Sequence, residues 1–382
     1  MASPLISIVI PTKGRADKLG YTLRTILEQP GSNFEVIICD NFSTDNTKSL
    51  ISDLSDSRIR YFRTDRRLSM CDNYELALEQ VRSEYAIFIG DDDALMPGAI
   101  SALEAWINQK RYDIYYWEQC FYTWGSDTEL PSISYVATPR KPRELILREL
   151  VESAFRFGGA RYMALPLVYH SLVAVKILTS IREASGRVFH STNPDVFCGF
   201  AMPVFAETAL DVGRCMSLRG SSEGGFYDLS DNSAAAVRNR QFVKEYGDYQ
   251  IHCTLDPTLP HILNCVPDSM LIAADLFPDY YRSFRFNYEF MYAMIQRYWQ
   301  FRSVVEIVKS RKRLSAMHPF SIFRFIAYVS GYRVWGIFQK LRNLRRKSSG
   351  KLAELYEKRP VDVYACANLI SSQMKSDLSG SL

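Results

Sequence analysis

The sequence predicts an α/β fold, in which a mostly parallel sheet is flanked by helices and followed by a helical C-terminal extension. Short apolar runs rich in β-branched residues alternate with segments of helical spacing over about the first hundred residues. Polar residues follow each run where a strand would end, and from about residue 236 the spacing is helical only. Such alternation is typical of βαβ units, whose parallel sheet is covered by helices on both faces.

Four strands are predicted in this first part, and each is a short apolar run that ends at a proline, a glycine or a polar residue. They are Ile6–Ile10, Phe34–Cys39, Ile59–Phe62 and Tyr85–Ile89, and a fifth strand is predicted within Tyr112–Trp117. Apolar stripes at helical spacing lie between the first four, at Leu19 to Leu27, Leu50 to Leu54 and Tyr74 to Val81. Asp72 and Glu75 have the spacing of a capping box, which predicts that the third helix begins near Asp72.

The predicted strand ends should carry a binding site, because ligands of open parallel sheets lie beyond the carboxyl ends of the strands. The polar side chains found there include both carboxylates and guanidinium groups. In chain order they are Thr12, Arg15, Asp40, Asn41, Arg66, Arg67 and Asp91 to Asp93. The sequence therefore predicts a charged site on one rim of the sheet.

The stretch Tyr85–Gly98, YAIFIGDDDALMPG, places three consecutive carboxylates directly after a buried strand. Like charges repel, and burying even one carboxylate is costly without a partner, so we expect a cation beside Asp91, Asp92 and Asp93. Carboxylate oxygens suit Mg²⁺ or Mn²⁺, and the diphosphate of a nucleotide would complete the shell of such an ion. The alternative is that one of these residues only caps the helix that starts near Pro97.

Recognition of phosphate and base must use other groups than a glycine-rich loop. Neither GxxxxGK[ST] nor GxGxxG is present, so phosphate binding is expected from the metal and from Arg or Lys side chains. Asp40, at a strand end, could accept a hydrogen bond from a base N–H and so read uracil or thymine. The alternative for Asp40 is a turn or capping role in Asp-Asn-Phe-Ser.

Composition excludes several classes of protein. The 382 residues are 47% hydrophobic and 23% charged, which is typical of a globular protein, and a net charge of +4 is too small to indicate nucleic-acid binding. The eight cysteines are scattered singly, so neither a zinc site nor a disulfide framework is expected. We see no signal peptide and no uncharged run long enough to span a membrane, which predicts a cytoplasmic enzyme.

Three motifs occur in order: Ile8–Arg15 (IVIPTKGR), Val36–Thr47 (VIICDNFSTDNT) and Phe88–Gly98 (FIGDDDALMPG). Together they resemble glycosyltransferase family 2, with its GT-A fold and Rossmann-like sheet, over about residues 5 to 100. The resemblance implies an inverting transfer of a sugar from a nucleotide-diphosphate donor, aided by a divalent metal, to a hydroxyl group.

The resemblance also assigns roles to individual residues. Pro11, Thr12 and Arg15 would border the nucleoside and Asp40 would contact the base, with Asn41 beside it. Arg66 and Asn73 would approach the donor. The aspartate triplet stands where the family's DxD motif binds metal and diphosphate. Either Asp91 and Asp93 form that pair, or Gly90 replaces its first member and Asp92 and Asp93 act; Asp93 is the preferred direct ligand.

An inverting transfer needs a general base for the acceptor hydroxyl, and we expect it in the second half of the chain. In His190–Phe200 (HSTNPDVFCGF), Asp195 follows a turn fixed by proline and precedes an apolar helical pattern. The family often places its catalytic aspartate at a comparable step. Asp195 is therefore the predicted base and His190 the reserve, although Asp195 could instead cap the following helix.

Three regions are predicted from these observations. Residues 1–235 would form the GT-A catalytic domain, with 1–100 as the nucleotide-sugar half and 101–235 as the acceptor half, and 236–382 would form a helical C-terminal region. Leu218–Gly225 is rich in small residues and could be a lid. Residues 318–350 are aromatic and then basic, which favours either peripheral contact with the inner face of the plasma membrane or packing on the domain or in a homodimer.

The function predicted from the sequence is a metal-dependent inverting glycosyltransferase of surface polysaccharide or glycoconjugate assembly. The donor would be a nucleotide-diphosphate sugar, with UDP favoured, and the acceptor a glycan or lipid-linked hydroxyl. A sugar nucleotidyltransferase and a nucleotide-sugar-binding protein without catalysis are the alternatives. The first alternative normally has a glycine-rich basic loop, whereas the loop after Pro11 offers only one glycine.

Overall fold

The fold is taken from a computed structural model. It describes residues 3–31, 33–126, 130–222, 241–257, 259, 261–298, 321, 323–328, 331 and 355–379.

Strands and helices alternate over the first part of the chain, as predicted. The strands are β1 (Ile6–Thr12), β2 (Phe34–Asp40), β3 (Ile59–Arg63) and β4 (Tyr85–Phe88), and the helices are α1 (Ala16–Leu27), α2 (Thr47–Leu54) and α3 (Met70–Glu79). Every residue of β2 is buried, which explains why its sequence is a continuous apolar run rather than an alternating one.

The next part is more irregular and has shorter strands. It contains β5 (Ala94–Leu95), α4 (Ala99–Gln109), β6 (Ile114–Tyr116), β7 (Cys120–Thr123), β8 (Ser132–Tyr135), β9 (Arg143–Ile146), α5 (Leu147–Arg156), β10 (Leu172–Ala174), α6 (Val175–Ser185), α7 (Pro194–Ala201), β11 (Thr208–Asp211) and β12 (Ser217–Ser221). The fifth predicted strand is thus confirmed, but it is confined to Ile114–Tyr116.

Two sheets result. The larger has the strand order β3-β2-β1-β4-β10-β6-β11-β9, and the smaller has the order β5-β12-β7-β8. In the larger sheet β1 to β4 pair in parallel, whereas β10 lies antiparallel between β4 and β6. The beginning of β10 therefore lies at the same rim as the end of β4. The predicted fold class, an α/β fold with a large central sheet flanked by helices, is confirmed.

The helices beyond residue 240 pack on the first part of the chain. They are α8 (His261–Leu276), α9 (Pro278–Tyr281), α10 (Tyr288–Tyr298) and α11 (Val363–Ser379). Met270 and Ala273 of α8 join the main core, and α11 packs against α1, β5 and β12. The boundary predicted at residue 235 lies outside the described residues and stays a prediction.

The capping box predicted at Asp72 is wrong. Helix α3 begins at Met70, and Ser69 is its N-cap, with the Ser69 hydroxyl accepting a hydrogen bond from the Asp72 N–H at 3.2 Å. Glu75 does not reach back to the cap, because its carboxylate accepts the N–H groups of Val188 and Phe189 at 2.6 and 2.7 Å. A long-range contact replaces the local one that the spacing suggested.

Most of the region predicted to contact a membrane, residues 318–350, lies outside the described residues. Its described part includes a short helix, 323–328, in which Phe323 is 83% exposed and Ile326 is 53% exposed. In the described part of the chain, we find no helix with the length and apolar character needed to cross a bilayer.

Candidate active site

The three consecutive aspartates lie in a tight loop between β4 and β5, which we call the acid loop (Asp91–Asp93). All three are buried, so each must find compensation for its charge. The Thr22 hydroxyl of α1 fixes the loop backbone, since it lies 2.9 Å from the Asp91 carbonyl oxygen and 2.7 Å from that of Asp93. The three carboxylates point in different directions from this loop, and each contacts different partners.

Asp91 faces the loop after β1. Its carboxylate accepts a hydrogen bond from the Thr12 hydroxyl at 2.7 Å and one from Arg15 Nη1 at 3.1 Å. Thr12 and Arg15 were predicted to border the nucleoside, and both contact the acid loop. Pro11, next to Thr12 in β1, is half-buried at the same end of the strand. The first motif and the third are thus joined through charge and hydrogen bonds.

Asp92 has one compensated oxygen and one open oxygen. Oδ2 accepts a hydrogen bond from Ser222 Oγ at 2.7 Å and lies 3.2 Å from Arg15 Nη1. Oδ1 accepts no hydrogen bond from any residue of the described part of the chain. Burial raises the pKa of Asp92 to about 7, the charge of Asp93 adds to this effect, and the charge of Arg15 opposes it.

Asp93 is the most enclosed of the three, with no exposed surface. Oδ2 accepts hydrogen bonds from the Gly90 N–H and the Tyr169 hydroxyl and lies 3.0 Å from His170 Nε2, and Oδ1 accepts the Gly220 N–H at 2.8 Å. Burial raises the pKa of Asp93, but the charge and hydrogen bonds of these neighbours outweigh it, so the pKa lies below its ordinary value. Both oxygens are therefore engaged by the protein.

Two glycines allow this close packing. A Cβ at Gly90 would lie 2.3 Å from the Tyr169 hydroxyl and 2.9 Å from Asp93 Oδ2. A Cβ at Gly220 would lie 1.8 Å from the Asp92 carbonyl oxygen and 2.8 Å from Trp124 Nε1. The acid loop and β12 therefore approach each other more closely than any side chain at position 220 permits.

Gly220→Ala is expected to destabilise the protein by at least about 2 kcal/mol, because the clash is with backbone rather than with a flexible side chain. Thermal unfolding checks this, and Gly20→Ala is the matched control. A Cβ at Gly20 in α1 makes only ordinary contacts with Leu50, the closest at 3.7 Å, so this change should be neutral or stabilising. Equal melting temperatures for the two variants would contradict the packing described.

Asp40, Asn41 and Asn73 hold the rim together. Asp40 Oδ1 accepts the Ser43 N–H at 2.9 Å, and Oδ2 accepts the Tyr61 hydroxyl at 2.5 Å. The Asn41 amide exchanges two hydrogen bonds with the backbone of Leu68, at 2.8 and 2.9 Å, while Asn73 bonds to Cys39. The turn role for Asp40 is thus present in the structure, and its contact with a base stays a prediction.

Arg66 lies apart from the acid loop, in an exposed position after β3. It lines a cleft of about 630 Å³ between the segment after β3 and α3, together with Arg63, Thr64, Asp65, Leu68, Asp72, Glu75 and Leu76. The cleft opens beside the rim formed by Asp40 and Asn41. Its place is compatible with the predicted approach of Arg66 to the donor, which stays a prediction.

A segment from beyond residue 240 reaches this rim. Glu245 lies 2.6 Å from Lys13 Nζ, in the loop after β1, and 3.9 Å from Arg67 Nε. Tyr246 anchors the segment, since its hydroxyl donates to the Thr192 carbonyl oxygen at 3.4 Å. The loop before α7 and the loop after β1 are thereby tied to the same short stretch.

Asp195 lies in the first turn of α7, which begins at Pro194 with Asn193 as its N-cap. The predicted helix is confirmed, and the capping position belongs to Asn193. Burial raises the pKa of Asp195, and the charge of Arg219 opposes this rise. His190 instead bonds within its own loop, at 3.2 Å from the Arg187 carbonyl oxygen and from Ser185 Oγ.

The loop before α7 is held in shape by α8. Ser191 adopts a left-handed conformation with φ of 62°, and its hydroxyl bonds to Ser269 Oγ at 2.6 Å. Asn193 donates to Cys265 Sγ at 3.3 Å. Such strain persists only where the surroundings fix it, so the position of Asp195 depends on α8.

The sequence reasoning missed Tyr169, His170 and Arg219. Tyr169 and His170 precede β10, and the antiparallel course of β10 brings them to the acid loop, where the His170 backbone N–H donates to the Phe88 carbonyl oxygen at 2.9 Å. His170 has φ of 59°, an uncommon value for a residue with a side chain. Arg219 lies in β12, within the segment predicted as a lid; residues 217–221 form a strand, and 223–225 lie outside the described residues.

The acid loop fits a divalent cation at Asp92. Its open Oδ1 is a hard oxygen ligand on a buried carboxylate, and Asp91 is adjacent. In the described part of the chain, no three His, Cys, Asp or Glu side chains are grouped so as to hold a metal. Mg²⁺ typically binds one or two protein carboxylates, and phosphate oxygens and water complete its shell.

The first part of the chain is similar to known proteins. Residues 7–164 match the family model described as glycosyl transferase family 2. The chain is 34% identical over 103 residues to the GalNAc(5)-diNAcBac-PP-undecaprenol beta-1,3-glucosyltransferase of Campylobacter jejuni, covering 26% of this chain and 33% of that protein. It is 30% identical over 137 residues to the UDP-Glc:alpha-D-GlcNAc-diphosphoundecaprenol beta-1,3-glucosyltransferase WfaP of Escherichia coli, covering 35% of this chain and 55% of that protein.

The chain thus spans between a third and about half of the length of these two relatives. Among solved structures, the S. aureus TarS 1-349 complex with UDP-GlcNAc aligns over 98% of this chain and 92% of that one, with a TM-score of 0.51 and 13% identity. This similarity supports the GT-A fold. Because the family match covers all three motifs and the acid loop, the segment of residues 7–164 belongs to glycosyltransferase family 2.

Proposed function

We propose that this chain is a metal-dependent inverting glycosyltransferase. It would move a sugar from a nucleotide-diphosphate donor, UDP-linked in our proposal, to a hydroxyl of a glycan or lipid-linked acceptor in surface polysaccharide or glycoconjugate assembly. One observation carries the proposal: Asp92, a buried carboxylate with an open oxygen, belongs to the same group of charges as Asp195, a half-buried carboxylate at the start of α7. The first suits the donor diphosphate and the second suits proton removal.

Mg²⁺ or Mn²⁺ would be held by Asp92, with Asp91 beside it. Such an ion would supply Lewis-acid stabilisation of the departing diphosphate. Asp93 was the ligand preferred from the sequence, but its two oxygens accept groups from Gly90, Tyr169 and Gly220. We therefore assign Asp93 the task of holding the acid loop against β12.

The donor nucleoside would lie along the rim from Thr12 to Asn41. Arg15 would keep Asp91 and the compensated oxygen of Asp92 in place, because its Nη1 atom contacts both carboxylates. Pro11 would border the nucleoside, and Asp40, Asn41, Arg66 and Asn73 would shape or approach the base and ribose. The solved TarS structure is a complex with UDP-GlcNAc, and this supports a uridine donor.

Asp195 would act as the general base. A base must take the acceptor proton on the face of the sugar opposite the leaving diphosphate. Burial raises the pKa of Asp195, which makes its carboxylate a better proton acceptor than an exposed aspartate. His190 is less suited, since its Nε2 atom lies among groups of its own loop.

The acceptor would be a lipid-linked glycan met at a membrane surface. The names of two relatives describe enzymes acting on undecaprenol diphosphate acceptors, which supports this class. The exposed Phe323 and Ile326 belong to the region 318–350, whose sequence continues into a basic run. We accordingly propose peripheral contact with the inner face of the plasma membrane.

The domain division is part of the proposal. Residues 1–235 would carry catalysis, with donor contacts in 1–100 and acceptor contacts in 101–235, and residues 236–382 would buttress this domain. The contacts of α8 with the loop before Asp195, and of Glu245 with Lys13, support a buttressing role.

A thermal-shift screen of nucleoside diphosphates with Mg²⁺ and Mn²⁺ tests the donor assignment. A ligand that binds the native state raises the melting temperature, by an amount that grows with concentration over Kd. We expect UDP with either metal to give the largest shift, and EDTA to remove most of it. If no nucleoside diphosphate raised the melting temperature, the proposed function would be rejected.

The reaction products distinguish a glycosyltransferase from a nucleotidyltransferase and from a binding protein without catalysis. Released UDP, measured with UDP-sugars and a lipid-linked acceptor, is expected for a glycosyltransferase. Pyrophosphate release from UTP and a sugar 1-phosphate would indicate a nucleotidyltransferase. Binding of UDP-sugar with neither product, under conditions that saturate donor and metal, would indicate a binding protein.

A further inference from the structure

Arg219 has a role that neither the motifs nor the comparisons assign. It lies in β12, between Leu218, which is buried in the core of the smaller sheet, and Gly220, whose N–H binds Asp93. Successive side chains of a strand point to opposite faces, so Arg219 points away from that core. Its guanidinium lies over Tyr169, with Cζ 5.9 Å from the ring centroid.

The guanidinium of Arg219 makes no hydrogen bond and no ion pair with any residue in the described part of the chain. Other arginines at this end of the sheet are paired: Arg15 holds Asp91, and Arg63 donates to the Ser43 carbonyl oxygen at 2.9 Å. A half-buried cation without an anion is unfavourable. The position is therefore suited to an anion that arrives with a ligand.

Asp195 and Arg219 form no ion pair with each other. Burial lowers the pKa of Arg219, but the charges of Tyr169, Asp195 and Asp93 outweigh this effect, and the pKa is raised. Asp195 has no hydrogen-bond donor from another side chain of the described residues. Both side chains are half-buried and unpaired within the described residues, so each can meet a ligand.

We propose that Arg219 binds the diphosphate of the donor, on the Tyr169 side of the acid loop, and stays bound to it as it leaves. The inference rests on the proposed function. In the transfer, the bond from the sugar C1 to the phosphate oxygen breaks, and its electron pair goes to the diphosphate. The acceptor oxygen bonds to C1, and its proton passes to Asp195. Arg219 compensates the charge that the diphosphate gains.

Inverting transfer requires that the base and the leaving group lie on opposite sides of the reacting carbon, so Asp195 and Arg219 would act from opposite sides of the sugar. Arg15 is less suited to this role than Arg219, because its charge is already shared by Asp91 and Asp92 through Nη1. A planar guanidinium can also hold two phosphate oxygens at once, which an ammonium group cannot do in the same geometry. The inference thus distinguishes arginine from lysine at position 219.

Nucleotide binding by isothermal calorimetry tests the inference. Arg219→Gln is expected to weaken binding of UDP with Mn²⁺ by about 30-fold, the loss typical of one charged hydrogen-bonded contact, and to change binding of UMP by less than about 3-fold. Arg219→Lys should recover part of the affinity for UDP. The ratio of UDP to UMP affinity is taken within one variant, so partial unfolding affects both measurements alike.

Arg214→Gln is the matched control, because Arg214 is exposed and lies five positions earlier, before β12. We expect its affinity for UDP to equal that of the unaltered chain. An unchanged UDP to UMP ratio in Arg219→Gln would overturn the inference while leaving the proposed function intact. Failure of the unaltered chain to bind any nucleoside diphosphate would instead overturn both.

Discussion

Asp195→Asn should lower kcat about 10³-fold and leave the affinity for UDP-sugar within a factor of about three, as expected for loss of a general base. An amide of the same shape cannot take the acceptor proton, but it preserves the packing of α7. Initial rates of transfer and donor affinity by calorimetry check the two parts. His190→Ala, in the reserve candidate, should keep near-normal kcat. A large loss of kcat in His190→Ala with near-normal kcat in Asp195→Asn would instead identify His190 as the base.

The pH profile of the unaltered chain gives an independent check. Because burial raises the pKa of Asp195 above its ordinary value, the base is ionised only above that raised pKa. We expect kcat/KM to fall as the pH drops through it, at a higher pH than a free aspartate would give. Arg219 and His170 lower this pKa, so Arg219→Gln should move the acidic limb to higher pH.

Asp92→Asn should abolish metal-dependent donor binding and reduce transfer by at least about 10³-fold, since it removes a ligand charge from the proposed ion and its diphosphate. The fold should survive, because the amide oxygen can still accept from Ser222, and the loss of a buried carboxylate removes repulsion from Asp93. Mn²⁺ affinity and thermal unfolding are the measurements. Retained Mn²⁺-dependent UDP binding would contradict the assignment of the ion to Asp92.

Asp93→Asn tests whether Asp93 holds the acid loop in place or binds the metal. This carboxylate accepts two backbone N–H groups and one hydroxyl, and hydrogen bonds to a charged group contribute about 1.5–3 kcal/mol each. We expect a clear fall in melting temperature for Asp93→Asn and little or none for Asp92→Asn. The opposite order would return the ligand role to Asp93, as the sequence first suggested.

Strand and helix positions in the first hundred residues were predictable because β1, β2 and β4 are almost entirely buried on both faces. A strand such as β2, in which all seven residues are buried, is a continuous apolar run and leaves little ambiguity. The rim residues followed from that order, since parallel strands end at a common edge. Thr12, Arg15 and the acid loop are accordingly in contact, as the predicted topology required.

The second half of the site could not be predicted in this way. Tyr169 and His170 reach the acid loop only because β10 runs antiparallel, and no local spacing announces the direction of a three-residue strand. Arg219 lies among small residues that suggested a mobile lid. Position 220 is a glycine for a different reason, namely the close approach of β12 to the Asp92 backbone.

The compensation of the three adjacent acids was only partly predictable. From the sequence, we expected a metal and a diphosphate to be needed for all three. In the structure, Arg15, His170 and several N–H and O–H groups already compensate Asp91, Asp93 and one oxygen of Asp92. Only Asp92 still has an oxygen without a partner among the described residues, so a bound cation would be needed there. The sequence alone could not show which carboxylates had partners.

The space above Gly90 constrains how this motif can vary among related proteins. A Cβ there would meet the Tyr169 hydroxyl at 2.3 Å, so an aspartate at position 90 and a tyrosine at position 169 exclude each other. Homologues should therefore show paired substitution, with Gly accompanying Tyr and Asp accompanying a smaller residue. An alignment in which the two positions vary independently would show that the loop can rearrange.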